Sequence, residues 1–215
     1  ATYRNRIIDA VYNMTGDGIY LTDLYENGQS QISENIEIKN CNIHDCRRQG
    51  MTIVCAQKVD FYNNEIHHIG GTSPEAGIDI ESNLSYQKND DINIYRNKFY
   101  DINSQTAIIV SKNTEDITIS ENEINASAIV YDVKGTLKFC NNEIKTGKVH
   151  FVIYENRLQV GYYLNKIIVR ENNFIDSWLR LENVENALIE KNTTTTQFAV
   201  GQAIKFILTP IAYID

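Results

Sequence analysis

The sequence predicts an all-β solenoid, a parallel β-helix of about seven coils, from three observations. One short motif recurs along the chain, a second short strand recurs between its copies, and no stretch keeps helical periodicity over a dozen residues. The motif reads apolar-x-apolar-x-x-Asn-x-apolar. It occurs as IEIKNCNI (36–43), VDFYNNEI (59–66), INIYRNKF (92–99) and ITISENEI (117–124), then as LKFCNNEI (137–144), IIVRENNF (167–174) and ALIEKNTT (187–194).

Each element has a physical reason. Apolar residues two apart mark a strand with one buried face. The sixth motif position holds Asn64, Asn97, Asn122, Asn142, Asn172 and Asn192, with Cys41 replacing Asn in the first copy. Asn tolerates the left-handed turn between strands, and stacked Asn side chains can bond along the rod, so these residues read as scaffold. The second strand opens on a small residue in GIYL (18–21), GMTI (50–53), GIDI (77–80), AIIV (107–110) and AIVY (128–131). FVIY (151–154), WLRL (178–181) and AIKF (203–206) are looser members. Uneven intervals between copies exclude a propeller or a leucine-rich repeat. One coil cannot bury its apolar side chains alone, whereas a stack of coils can.

Length and composition agree with this reading. The 215 residues suit one sizeable core, a single domain over 1–215. No apolar run is long enough to span a bilayer, so no membrane insertion is expected. A net charge of −8 argues against nucleic acid as a partner. Cys41, Cys46, Cys55 and Cys140 form no CxxC or zinc-like spacing and read as free, buried thiols, which points to assembly in a reducing compartment. The opening ATYRNRIIDA has neither Met nor an apolar signal segment, and reads as a piece of a longer or processed chain.

The stretch AGIDIESN (76–83) carries the main candidate chemistry. Strand alternation turns Ile78 and Ile80 inward and Asp79 and Glu81 outward, with backbones about 6.6 Å apart. Carboxylates roughly 6.5–9.5 Å apart suit an inverting hydrolysis, one as acid and one as base toward water. Thr52 and Ile109 flank Asp79 in this reading, Val54 and Ser111 flank Glu81, and Val54, Ile109 and Val130 make the outward surface unusually apolar. Apolar neighbours raise a carboxyl pKa, as a general acid requires. The plainer alternative is a solvated face, since WLRLE puts Arg180 and Glu182 at the same offsets.

In HDCRRQG (44–50), Arg47 and Arg48 lie at a coil corner and could hold an anionic sugar or phosphate, with Gln49 and His44 beside them. Salt bridges to Asp45, Asp79 or Glu81 are the alternative. Of His67 and His68, one is expected outward near the arginines and the other packed or in a ladder. The catalytic candidates are therefore Asp79, Glu81 and His68; the substrate-binding candidates are Arg47, Arg48, Gln49 and His44. The loop GGTSPEAG (70–77) could wall the groove, Tyr86 could stack on a sugar, and Trp178 is expected to pack. No phosphate loop, nucleophile elbow or HExxH is present, and no cofactor is expected. A calcium site would have to draw on Asp79 and Glu81 with Asp90 or Asp91.

The repeats resemble the right-handed parallel β-helix of the pectin-lyase-like superfamily over nearly the whole chain. NCNIHDCRRQGMTIV (40–54) with NNEIHHIGGTSPEAGIDIES (63–82) further resembles β-helix domains of phage tail and appendage proteins from Gram-positive hosts. The resemblance implies a virion-attached homotrimer that binds or cuts a host cell-surface polymer, polysaccharide or wall teichoic acid. A non-catalytic receptor-binding module and a structural spacer are the competing readings, alongside a uronate lyase or C5-epimerase. The epimerase-like strand has a His soon after the acid, which GIDIES lacks.

Overall fold

A computed structural model describes residues 10–152, 164–184, 186–195, 204–207 and 211–214. The chain winds through three parallel sheets in turn. Ala10–Tyr12 starts the first sheet, Ile19–Leu21 the second and Ser33–Lys39 the third; Asn42–His44, Met51–Ile53 and Ala56–Tyr62 then add the next strand to each. Every strand of the three sheets bonds to strands one coil away and not to its sequence neighbour, which defines a parallel β-helix. Each sheet has eight strands among the described residues, one more than the motif count suggests. The extra strands lie at the two ends: Ile211–Ile214 follows the last motif copy in the third sheet, and Ala10–Tyr12 precedes the first copy in the first sheet and opens the first coil. An antiparallel hairpin, Leu24–Glu26 with Gln29–Gln31, interrupts that coil.

The core lies inside the coil. In the third sheet, Val59 and Phe61, Ile92 and Ile94, Ile117 and Ile119, and Leu137 and Phe139 pair in register and are buried. Each such side chain contributes about 1.5–3 kcal/mol relative to exposure, so the stack and not any single turn holds the rod.

The asparagines form a continuous ladder. Asn64, Asn97, Asn122 and Asn142 each donate their backbone N–H and side-chain Nδ2 to Oδ1 of the next ladder Asn, at 2.9–3.1 Å. Their Nδ2 also reaches a strand carbonyl, as Asn97 does to Phe61 O at 2.9 Å. Cys41, at the ladder position of the first copy, donates its backbone N–H to Asn64 Oδ1. The left-handed conformation expected of these asparagines falls one residue earlier, on Asn63, Arg96, Glu121, Asn141, Glu171 and Lys191. Ladder Asn is thus selected for its amide, and the corner before it accepts any polar residue.

The small residue opening the second-sheet strands has a separate cause. A Cβ on Gly18 would lie 2.6 Å from Gly50 O, one on Gly50 2.6 Å from Gly77 O, and one on Gly77 2.6 Å from Ala107 O. Rungs meet here too closely for a side chain. All four cysteines are free; Cys41, Cys46 and Cys55 are buried, Cys140 partly so.

Candidate functional site

The outer face of the second sheet carries the acid pair. Ile78 and Ile80 enter the core, and Asp79 and Glu81 take the opposite face. Thr52 and Ile109 flank Asp79 in register as the sequence suggests. Val130 does not join them: Ala107 is an extra residue in its strand, so Ile109 aligns with Ile129, and Val130 turns into the core beside Val110. Matching AIIV to AIVY by their first residues slips the register by one.

Asp79 faces away from the core, yet only 3% of it is exposed. Gln49, fully buried on the turn into Met51–Ile53, donates Nε2 to Asp79 Oδ2. Asp79 Oδ1 has no hydrogen-bond partner among the described residues. Burial, and next the nearby Glu81 carboxylate, push the Asp79 carboxyl up to about 7; the Gln49 bond and Arg48 charge oppose the rise. The acid is poised to exchange a proton near neutrality.

Asp17 is a member the sequence reading missed. It precedes Ile19–Leu21 and accepts Arg48 Nη1 at 3.0 and 3.2 Å and Thr52 Oγ1 at 2.8 Å. Arg48 is therefore paired, with an acid other than Asp45, Asp79 or Glu81. The only signal was Asp17 between Gly16 and Gly18, ahead of the first motif copy. Thr52 Oγ1 also stands 2.6 Å from Gln49 Oε1. Thr52 has one proton and two acceptor neighbours, so the chain Asp17–Thr52–Gln49–Asp79 has two arrangements, and only the one with Asp79 protonated fills every contact. With Asp79 ionised, Gln49 donates to it and Thr52 donates to Gln49. With Asp79 protonated, the amide turns: Asp79 donates to Gln49 Oε1, Gln49 Nε2 to Thr52, and Thr52 to Asp17. The Asp79 proton and the Gln49 amide orientation are coupled.

Arg47 is exposed, and its stem lies against Gly71, whose φ of 129° and lack of Cβ admit the contact. Its carbonyl accepts Thr72 N–H at 2.8 Å, so the 70–77 loop packs on the Arg47 corner. Glu81 is half-buried beside Asp79.

The histidines belong to another face. His44 and His67 align in the first sheet and stack with Tyr12 and Tyr100, at centroid distances of 5.3, 5.0 and 4.7 Å from Tyr12 to Tyr100. His67 is the ladder member, and burial with the charges of His68 and His44 lowers its pKa. His68 is exposed, its Nδ1 2.6 Å from His67 Nδ1 and its Nε2 3.8 Å from Asp101. His44 Nδ1 bonds Asp45 at 2.6 Å. The structure thus unites Asp79, Glu81, Arg48 and Gln49 with Asp17 and Thr52, places Arg47 at the adjoining corner, and puts His44 and His68 on the first sheet. The sequence could not separate them because a coil corner borders two faces at once.

Asp90 and Asp91 lie on Asn89–Tyr95 of the third sheet, not in the column of Asp79. Among the described residues no group of three or more His, Cys, Asp or Glu is arranged to hold a metal ion. A cleft of about 580 Å³ on the third sheet is lined by Lys58, Asp91, Asp116 and Lys138, all exposed, and reads as solvated surface.

A family model described as a right handed beta helix region matches residues 4–178. No curated protein and no solved structure matches the sequence.

Proposed function

Starting from the fact that this chain belongs to the right-handed beta helix family, we propose that it binds an extended cell-surface polymer along the outer face of the second sheet and hydrolyses it. The polymer classes are polysaccharide and wall teichoic acid. The observation that carries the reading is the Asp79 carboxyl, buried beside Glu81 and raised to about 7. Protonated Asp79 gives its proton to the leaving oxygen as the scissile bond breaks. Glu81 takes a proton from the water whose oxygen forms the new bond. Arg47, exposed at the corner, meets the anionic groups of the substrate. The setting proposed with this activity is a trimeric virion appendage at a Gram-positive wall, on the resemblance of residues 40–54 and 63–82.

One observation favours a second reading, binding without cleavage: Asp79 is only 3% exposed, and its bond to Gln49 already occupies one oxygen. Incubation with purified Gram-positive wall polymer separates the two. Cleavage yields new reducing ends or phosphomonoesters that Asp79→Asn abolishes while the variant remains fully folded at the assay temperature. Polymer retention with no new ends supports the binding module. Full activity in both Asp79→Asn and Glu81→Gln refutes the acid/base assignment.

A further inference from the structure

The outer face of the second sheet continues past Asp79. The column through Asp79 runs Ile109, Ile129, His150, Arg180, one residue per rung. At about 4.8 Å per rung, His150 lies roughly 14 Å and Arg180 roughly 19 Å from Asp79. The two isoleucines between are half-buried and uncharged, so the strip is continuous and apolar in its middle.

Beyond it the residue types change. Leu179 and Leu181 enter the core, which turns Trp178, Arg180 and Glu182 outward. Trp178 was expected to pack, but among the described residues it is not one of the side chains in or against the core. It is half-buried and in register with Lys148. Arg180 Nη2 lies 2.7 Å from Glu182 Oε2, and His150 Nε2 lies 3.2 Å from the same oxygen. Arg180 Nε is buried with no hydrogen-bond partner among the described residues. A buried donor left without an acceptor is costly, and a ligand oxygen reaches this one only when the guanidinium turns outward.

We propose that Trp178, Arg180, Glu182 and His150 form a second, saccharide-binding subsite, which takes a neutral sugar ring of a glycan chain lying along the same face. The indole offers a flat apolar surface to the C–H face of a pyranose. Arg180 and Glu182, a donor beside an acceptor, match hydroxyls that both accept and donate. Charge close to the ring is nearly balanced: Arg180 and Glu182 cancel, burial holds the His150 imidazole below its ordinary pKa, and Lys148, in register with Trp178, adds one exposed cation. A polyphosphate chain would meet the Glu182 carboxylate. The subsite rests on the proposed binding of an extended polymer, and it narrows that polymer to a glycan.

The chain supplies its own reporter, because Trp178 is its one tryptophan. The intact protein is titrated with neutral wall polysaccharide stripped of teichoic acid, and separately with polyribitol phosphate. Tryptophan emission is followed together with co-sedimentation on insoluble wall glycan. A saturable emission change with the neutral polysaccharide is expected, and none with polyribitol phosphate. Arg180→Ala and Glu182→Ala should each weaken the response about tenfold, and Trp178→Ala should weaken co-sedimentation by a similar factor. Trp178→Phe, which keeps a flat ring, should retain most of the co-sedimentation. Co-sedimentation with silent emission and no effect of Trp178→Ala overturns the subsite and leaves the proposed polymer binding standing. No binding to either polymer overturns both. A response to polyribitol phosphate alone overturns the neutral-sugar assignment.

Discussion

Asp79→Asn tests the physical basis of the site without any substrate. The folded chain holds the Asp79 carboxyl at about 7 against an ordinary value of 3.8. Between those two values the folded state binds more protons than the unfolded state, so stability is greatest below the lower value. It falls as the pH rises toward the upper one and is level beyond it. The gap from 3.8 to about 7 corresponds to a loss of at most about 4 kcal/mol. Asparagine has nearly the shape of the protonated acid, and its amide can donate to the turned Gln49 oxygen, so the variant should lack this loss. Urea denaturation of both proteins between about pH 4 and 8 measures it. The variant should match wild type at the acid end and exceed it by a few kcal/mol at the alkaline end. Other carboxylates, such as Asp23 and Asp45 with their lowered values, titrate alike in both proteins and cancel in the difference. A difference that is flat with pH, or a variant less stable at pH 8, refutes the claim that Asp79 is buried uncompensated.

Gln49→Ala removes the donor that holds Asp79 ionised, so its carboxyl midpoint should move upward, read by carbon-13 NMR titration. Asn97→Ala deletes two bonds accepted from Asn64 and two donated to Phe61 O and Asn122 Oδ1. At about 1 kcal/mol each it should cost roughly 3–4 kcal/mol in urea denaturation. The partly buried Asn192 near the ladder's far end should cost less. Gly50→Ala puts a methyl 2.6 Å from Gly77 O and should destabilise by about 1–3 kcal/mol, lowering the melting temperature.

The coil was legible because its rule is local. Alternation places Ile78 and Ile80 inside, and the sixth-position Asn marks the ladder. What failed was the bookkeeping between coils. The bulge at Ala107 shifted the Val130 side chain to the wrong face, since an inserted residue reverses parity without changing composition. The candidate site's clustering was legible in Asp79, Glu81, Arg48 and Gln49, which the structure brings together. Asp17 was hidden because it lies ahead of the first motif copy, and the outward turn of Trp178 because half-burial on an outer face looks like packing in a strand pattern. His44 and His68 were misgrouped because sequence proximity to Arg47 says nothing about which side of a corner a ring occupies.

The asparagine ladder has a consequence for how such a chain can grow. Every internal rung offers the same acceptor below and the same donors above, so duplication of one whole coil leaves no dangling amide. A copied coil would rejoin the ladder and lengthen the rod by about 4.8 Å. If it fell between Ile109 and His150, Asp79 and Trp178 would part by one rung with their own surroundings intact. Whole-coil duplication and deletion would then act as a ruler, tuning the span between the two ends of the outer face without redesigning either.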